Sequence, residues 1–317
     1  MKKIMLLALL ISGAAFAHKF DNTQIDSQTI ETKYGTLYFE KEGKGPVIVL
    51  IAGGPGGSHA SFHPTFSKLA EKFTLIYLDN IGRGRSARLP EGQEYTVERD
   101  VEDIEEIRKY LKVEKISIVG HSYGAMPALS YAQLYPQHTE KLVLASTPLD
   151  AKQWQSAIDE NNRFLKSQYP DVLQKIAELR QTDDSNNKNK MSELNNILPD
   201  RTWANIENKK KRWRSNDPSD ANNEEVFTSI AGKDSDTKLN GTIVNYKPRD
   251  LMDKLKAPIL LCVGRYDYVT PPRISYELLS QLPTGLGSIQ MFEQSGHRPW
   301  VEESDLYISK ISLFLRP

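Results

Sequence analysis

The chain has 317 residues, with 41 basic side chains against 41 acidic ones. That balance excludes partners recognised through a strongly charged surface, nucleic acid and anionic membranes among them. The single cysteine, Cys262, excludes an internal disulfide, so stability has to come from a packed core.

The opening segment, MKKIMLLALLISGAAFA, sets two lysines before a short apolar run that closes on Ala15-Phe16-Ala17. This is the layout of a signal peptide, and cleavage is expected after Ala17. The run is short for a bilayer span, which needs roughly 20 apolar residues, so no stable membrane insertion is expected after cleavage. The expected product is periplasmic or secreted. Loss of Lys2 and Lys3 leaves 39 basic residues against 41 acidic ones.

Residues 27–42 read as a hairpin with its turn near Tyr34-Gly35. Six short apolar runs follow: "PVIVLIAG" (46–53), "FTLIYLD" (73–79), "KISIVG" (115–120), "KLVLAST" (141–147), "PILLCVG" (258–264) and "GSIQMF" (287–292). Their length and Val/Ile/Leu content fit strands buried on both faces of a parallel sheet. Between them, 97–112, 122–136, 271–282 and 300–315 carry helical patterns, with Val101, Ile104, Ile107, Arg108 and Leu111 on one face of the first. Pro127 falls in the early turns of the second, where a missing N–H is tolerated. Alternating strand and helix predicts an α/β fold, a mostly parallel sheet with helices on both faces. Cys262 lies inside an apolar run and is expected to be buried and structural.

From about 150 to 250 the chain turns polar, without a convincing buried strand, and "DDSNNKNK" (183–190) reads as a loop. The same stretch holds Trp154, Trp203 and Trp213, more large aromatics than an idle surface insertion carries. It is expected to form a helical cap (150–250) over the carboxyl ends of the strands, where open α/β sheets keep their ligand sites. The core is then 18–149 together with 251–317.

Gly120-His121-Ser122-Tyr123-Gly124 follows a predicted strand and opens a predicted helix, the context of a nucleophile elbow. The tight turn requires small flanking residues and exposes the Ser122 Oγ. The competing reading makes Ser122 a helix N-cap. A serine nucleophile needs a base, and six histidines are present. His18 and His138 are expected in solvent, and His121 is constrained within the elbow. His59 and His63 border the first glycine-rich loop. His297, in the turn after the last strand, is the best placed. Asp267, in the loop after "PILLCVG", is positioned to orient it; it also fits a turn aspartate before a proline-started helix. Asp250 and Asp253 precede a strand and fall at the wrong edge of the sheet. The order Ser122, Asp267, His297 is one that serine hydrolases of this build use. Oxyanion donors are expected from the N–H groups of Tyr123 and of Gly54 in "GGPGG" (53–57), with Gly53 beside it. That loop lacks the Lys-Ser/Thr ending of a phosphate cradle. No cofactor or metal is called for.

Together "AGGPGG" (52–57), "DNIGRGRS" (79–86), "GHSYGA" (120–125), "GRYDYVTPP" (264–272) and "GHRPWVEE" (296–303) resemble the α/β-hydrolases, and within them the proline iminopeptidase-like serine peptidases. The chain departs from that family's pattern at Ala52, where histidine is usual, and at Asn80-Ile81, where Gln-Arg is usual. The resemblance implies an α/β-hydrolase fold and release of an N-terminal residue from short peptides. It also implies cap acids that bind the substrate ammonium. "RTWANIENKKKRW" (201–213) is similar to the family's Trp-x-x-Trp-Glu stretch and points to Glu207; Glu224 or Glu225 is a looser match for a second acid. The alternative makes these ordinary surface glutamates on a charged helix, and Trp203 and Trp213 either line an apolar pocket or pack the cap onto the domain. Two other readings stand beside it: an esterase or other acyl hydrolase on small uncharged substrates, and a non-catalytic ligand-binding protein on the same fold.

Overall fold

The computed structural model describes residues 25–181 and 187–316; the expected signal segment lies outside them. β1 (Asp26–Thr32) and β2 (Gly35–Glu42) form the hairpin, with Thr32 opposite Gly35. The remaining strands are β3 (Val47–Ile51), β4 (Thr74–Asp79), β5 (Ile116–His121), β6 (Thr139–Ala145), β7 (Ile259–Gly264) and β8 (Gly287–Phe292). They make one eight-stranded sheet in the order β1-β2-β4-β3-β5-β6-β7-β8. Only β1/β2 and β2/β4 are antiparallel; β3 to β8 run parallel. β3 therefore sits at the switch point, paired with β4 on one side and β5 on the other. Loops leaving β3 and β5 meet there, at the carboxyl edge.

The two faces follow from period-two alternation along each strand. On β3, Val49 and Ile51 enter a core with α1 (Val97–Leu111) and α2 (Ala125–Leu134). Ile48 and Leu50 enter another with Phe62, Phe66, Trp300 and Tyr307. α1 begins where the Thr96 side chain accepts the Arg99 N–H at 3.1 Å, and ends at Lys112, whose φ of 54° is left-handed. Its Ile104 and Ile107 are wholly buried. Each such side chain contributes roughly 1.5–3 kcal/mol, which is how a chain without disulfides is held. Cys262 lies in this interior, and burial pushes its thiol far up. β8 is an edge strand and is mostly half-buried, unlike the doubly covered strands beside it. The helix expected at 271–282 is α7 (Pro272–Gln281), and the C-terminal helix expected from Trp300 is two pieces, α8 (Pro299–Glu302) and α9 (Ser304–Leu315), broken at Glu303.

Between β6 and β7 come α3 (Ala151–Gln168), α4 (Pro170–Arg180), α5 (Asn187–Ile197) and α6 (Glu224–Ala231), with short 3₁₀ turns and no strand among the described residues. α5 begins inside the stretch expected to be a loop, so residues 187–190 are helical; 183–186 lie outside the described residues. Val226, Ile230, Ile243 and Tyr246 pack on Tyr95, Tyr123 and Met126, which fastens this segment to the core. No helix among the described residues is long and apolar enough to cross a membrane.

Candidate active site

β5 ends at His121, and Ser122 follows with φ of 52°, in the left-handed region. A non-glycine residue there is strained, and the neighbours enforce it. A Cβ at Gly120 would stand 2.5 Å from the Ala125 Cα, and one at Gly124 would collide with the carbonyls of Ile51 and Ala52. Ser122 is half-buried in a run that is otherwise buried. Its hydroxyl makes no cap hydrogen bond, and its φ is not that of an N-cap, so the capping alternative does not hold.

The loop after β3 passes directly over the serine. A Cβ on Gly53 would lie 2.8 Å from the Ser122 Cβ, and Gly54 has φ of 59°, which glycine adopts without cost. Among the described residues the Gly54 N–H donates to no protein acceptor. The loop is held from three sides. Gly57 N–H donates to the Gly54 carbonyl at 2.7 Å, and Asn223 N–H to the Gly56 carbonyl at 2.9 Å. Arg83 Nε donates to the Pro55 carbonyl at 2.6 Å. Arg83 is itself fixed by a bidentate pair with buried Asp100, at 2.6 and 2.8 Å, and the Tyr123 hydroxyl donates to Asp100 Oδ2 at 2.8 Å. Ile81, where the resembled family has arginine, is wholly buried and apolar.

Asp267 and His297 come together from the loops after β7 and β8. His297 Nδ1 lies 2.9 Å from Asp267 Oδ2. Asp267 also accepts the N–H of Val269 at 2.9 Å, the N–H of Thr270 at 2.8 Å and the Thr270 hydroxyl at 2.7 Å. The turn aspartate is thus also hydrogen-bonded to the histidine. Burial pushes the Asp267 carboxyl up, but the His297 charge and these hydrogen bonds outweigh it and hold it below the usual carboxylate range. An N–H on Nδ1 leaves the Nε2 lone pair free to take a proton. Among the described residues no hydrogen bond joins Ser122 to His297. They are neighbours around His121, whose ring centroid is 4.8 Å from that of His297 and 4.4 Å from that of Trp300. Burial first, then the cationic neighbours His297, Arg298 and Arg212, keep His121 neutral well below its ordinary pKa. Its Nε2–H donates to the His297 carbonyl at 3.0 Å.

Glu207 falls away from this centre. It is exposed on a 3₁₀ turn and pairs with Lys210 at 2.5 Å, because the helical spacing there turns acid and lysine to the same outer face. The expectation that it lines the site is corrected on that ground. Glu224 and Glu225 are exposed on the first turn of α6. Trp203 is buried beside the histidine loop: a Cβ on Gly296 would lie 3.0 Å from its carbonyl carbon. Glu302, which composition alone does not single out, joins the two segments. It accepts the Gly296 N–H at 2.6 Å, the Ala204 N–H at 3.1 Å and the Asn208 side-chain amide at 3.0 Å.

His59 and His63 sit under the glycine loop in a buried charge cluster. His59 Nδ1 is 2.9 Å from Asp79 and its Nε2 3.3 Å from Glu40, while His63 Nε2 is 2.9 Å from Glu40. Burial opposes a charged His59, yet Asp79 and Glu40 prevail and raise it to about 10. The donors of Glu40, His59 and His63, and of His59, Asp79 and Asp220, are close enough to surround a cation. Protons on both imidazole nitrogens already meet that role.

Compared with known proteins, residues 46–303 match the family model described as the alpha/beta hydrolase fold. A proline iminopeptidase of Heyndrickxia coagulans is 27% identical over 277 residues, covering 87% of this chain and 93% of that protein. One from Saccharolobus solfataricus is 28% identical over 300 residues, covering 89% and 88%. Among solved structures, VinJ superposes with a TM-score of 0.73 at 23% identity, over 92% of this chain and 98% of that one.

Proposed function

The chain belongs to the α/β-hydrolase family, and on that premise we propose that it is an exported serine hydrolase of the proline iminopeptidase type, releasing an N-terminal residue from short peptides. Ser122 Oγ attacks the scissile carbonyl while His297 Nε2 takes its proton. Asp267 holds the imidazole and favours the cation that forms. The Gly54 and Tyr123 N–H groups receive the oxyanion, a contribution of several kcal/mol in sites of this kind. His297 then gives the proton to the departing amine, and water repeats the cycle on the acyl-enzyme.

The observation that carries this reading is the left-handed φ of 52° at Ser122, at a strand end beside the His297–Asp267 pair. A fluorophosphonate probe tests it: wild type is expected to label and Ser122→Ala to resist. Equal labelling of both, or none of wild type, overturns the mechanism.

A second reading, an acyl hydrolase acting on esters, is favoured by Glu207, which is exposed and already paired with Lys210 rather than held toward a substrate ammonium. Turnover of a prolyl arylamide that is lost on N-acetylation supports the peptidase. Faster turnover of short acyl esters, indifferent to a free amine, supports the esterase.

A further inference from the structure

The cap encloses a cavity of about 930 Å³, walled by α3, α4 and the end of α5, with Trp154, Ile158, Leu165, Ile176 and Leu198 among its apolar surfaces. It borders the loops that carry Asp267 and His297. Tyr268 and Val269 line it and follow Asp267 directly; Thr202 lines it and accepts the His297 N–H at 2.7 Å. A space of this size suits a ligand much larger than one residue.

Charge on the walls is uneven. Asp236 is paired with Arg180, and Asp200 with Lys209 at 2.8 Å. Asp159, the remaining acid of the wall, is exposed and accepts from Gln155. Arg201 differs from these. Its guanidinium lies 4.0 Å from the ring centroid of Phe164 and 4.3 Å from that of Tyr268, and Nη1 donates to Asn161 Oδ1 at 2.8 Å. Among the described residues no carboxylate stands within ion-pair distance of it. Burial lowers its pKa, as for a guanidinium short of counter-charge. Two aromatic rings and an amide fix the plane of the fork, leaving its other edge to meet an anion.

We propose that this cavity binds the apolar body of the substrate and that Arg201 receives a carboxylate at the substrate's far end. The proposal deepens the serine hydrolase reading and rests on it for the connection to turnover. The carboxylate belongs either to the departing part, as the C-terminus of a short peptide, or to the acyl part.

Two matched pairs separate these sources: prolyl-leucine against prolyl-leucinamide, and an aryl ester of an ω-carboxyacyl group against its ω-methyl ester. In Arg201→Gln the carboxylate-bearing member of one pair is expected to show KM raised at least about tenfold, with its neutral partner changed less than about twofold and fluorophosphonate labelling of Ser122 unaltered. An effect in the first pair assigns the carboxylate to the leaving part, and in the second to the acyl part. Arg201→Lys, which keeps the charge but not the fork, is expected to fall between. Equal loss for both members of each pair, or no loss for any, overturns the proposal. If wild type fails to label, the Ser122 reading fails on its own. Calorimetric binding of both matched pairs still decides the present point: wild type must prefer the carboxylate-bearing member of one pair and Arg201→Gln must not.

Discussion

The Thr202 carbonyl accepts the backbone N–H of His297 at 2.7 Å, so a residue of the cap segment is part of the support for the histidine loop. Glu302 repeats that link through Gly296, Ala204 and Asn208. Glu302→Ala removes the acceptor of four donors, the Asn205 N–H included, and leaving a buried donor such as the Gly296 N–H unpaired costs roughly 1–3 kcal/mol. The expected result is a lower Tm, faster hydrogen exchange at 202–208 and 295–298, and reduced kcat. Unchanged exchange in both segments would remove the carboxylate from this role.

In the proposed mechanism Asp267 holds the histidine in one tautomer and orientation. Asp267→Asn is expected to preserve the fold and to lower kcat by about 10⁴-fold, as loss of this partner does in a Ser-His-Asp triad. Steady-state kinetics beside a circular dichroism spectrum checks both halves. A variant retaining a tenth of wild-type kcat would place the orienting group elsewhere.

Gly124 has its missing side chain against the backbone of β3. Gly124→Ala pushes a methyl group into the carbonyls of Ile51 and Ala52, which are backbone and cannot turn aside. Overpacking of this kind costs roughly 1–3 kcal/mol, and the displacement falls on the elbow. Urea unfolding is expected to show the loss, together with slower fluorophosphonate labelling.

Arg83→Met leaves Asp100 without its bidentate partner and frees the Pro55 carbonyl. Breaking one side of a buried pair costs roughly 3–5 kcal/mol. Because the same guanidinium braces the glycine loop, kcat is expected to fall more than KM rises. Replacement of both Arg83 and Asp100 by apolar residues is expected to recover stability without recovering kcat.

The His59 cluster makes stability depend on pH. His59 is raised from its ordinary 6.5 to about 10, so its contribution is complete below pH 6.5 and fades as pH climbs toward 10. Glu40 is raised by burial but lowered further by His59, His63 and Tyr38, and ends below its ordinary 4.5. Its contribution is complete above pH 4.5 and fades below. The Tm difference between wild type and His59→Gln is therefore expected to be largest between about pH 4.5 and 6.5 and to shrink by pH 10. A difference that grows with pH would contradict a charged His59.

The sheet was legible because β3 to β7 are covered on both faces and carry nearly unbroken apolar runs. Ser122, Asp267 and His297 were legible because each follows a strand at the same edge, where order along the chain translates into position. Other parts rest on contacts across long stretches of sequence between residues ordinary in composition. Arg83 meets Asp100, and Glu302 meets Ala204, with nothing local to mark either pair. Glu207 misled for a related reason: likeness of a short stretch fixes which residues are present, whereas the 3₁₀ turn decides which way they face. α5 begins among asparagines of weak helical preference, in a stretch whose composition read as loop.

β6 and β7 pair directly, from Leu142 opposite Ile259 to Ala145 opposite Cys262, although the whole cap lies between them in sequence. The excursion thus leaves and rejoins the sheet at adjacent points. Closing a flexible loop costs entropy that grows only logarithmically, about 0.6 kcal/mol for each doubling of length. Selection could lengthen, trim or exchange this segment while the strand ladder beneath stayed intact. The constraint on its sequence comes instead from the loops it touches at the carboxyl edge, through Thr202 and Asn223.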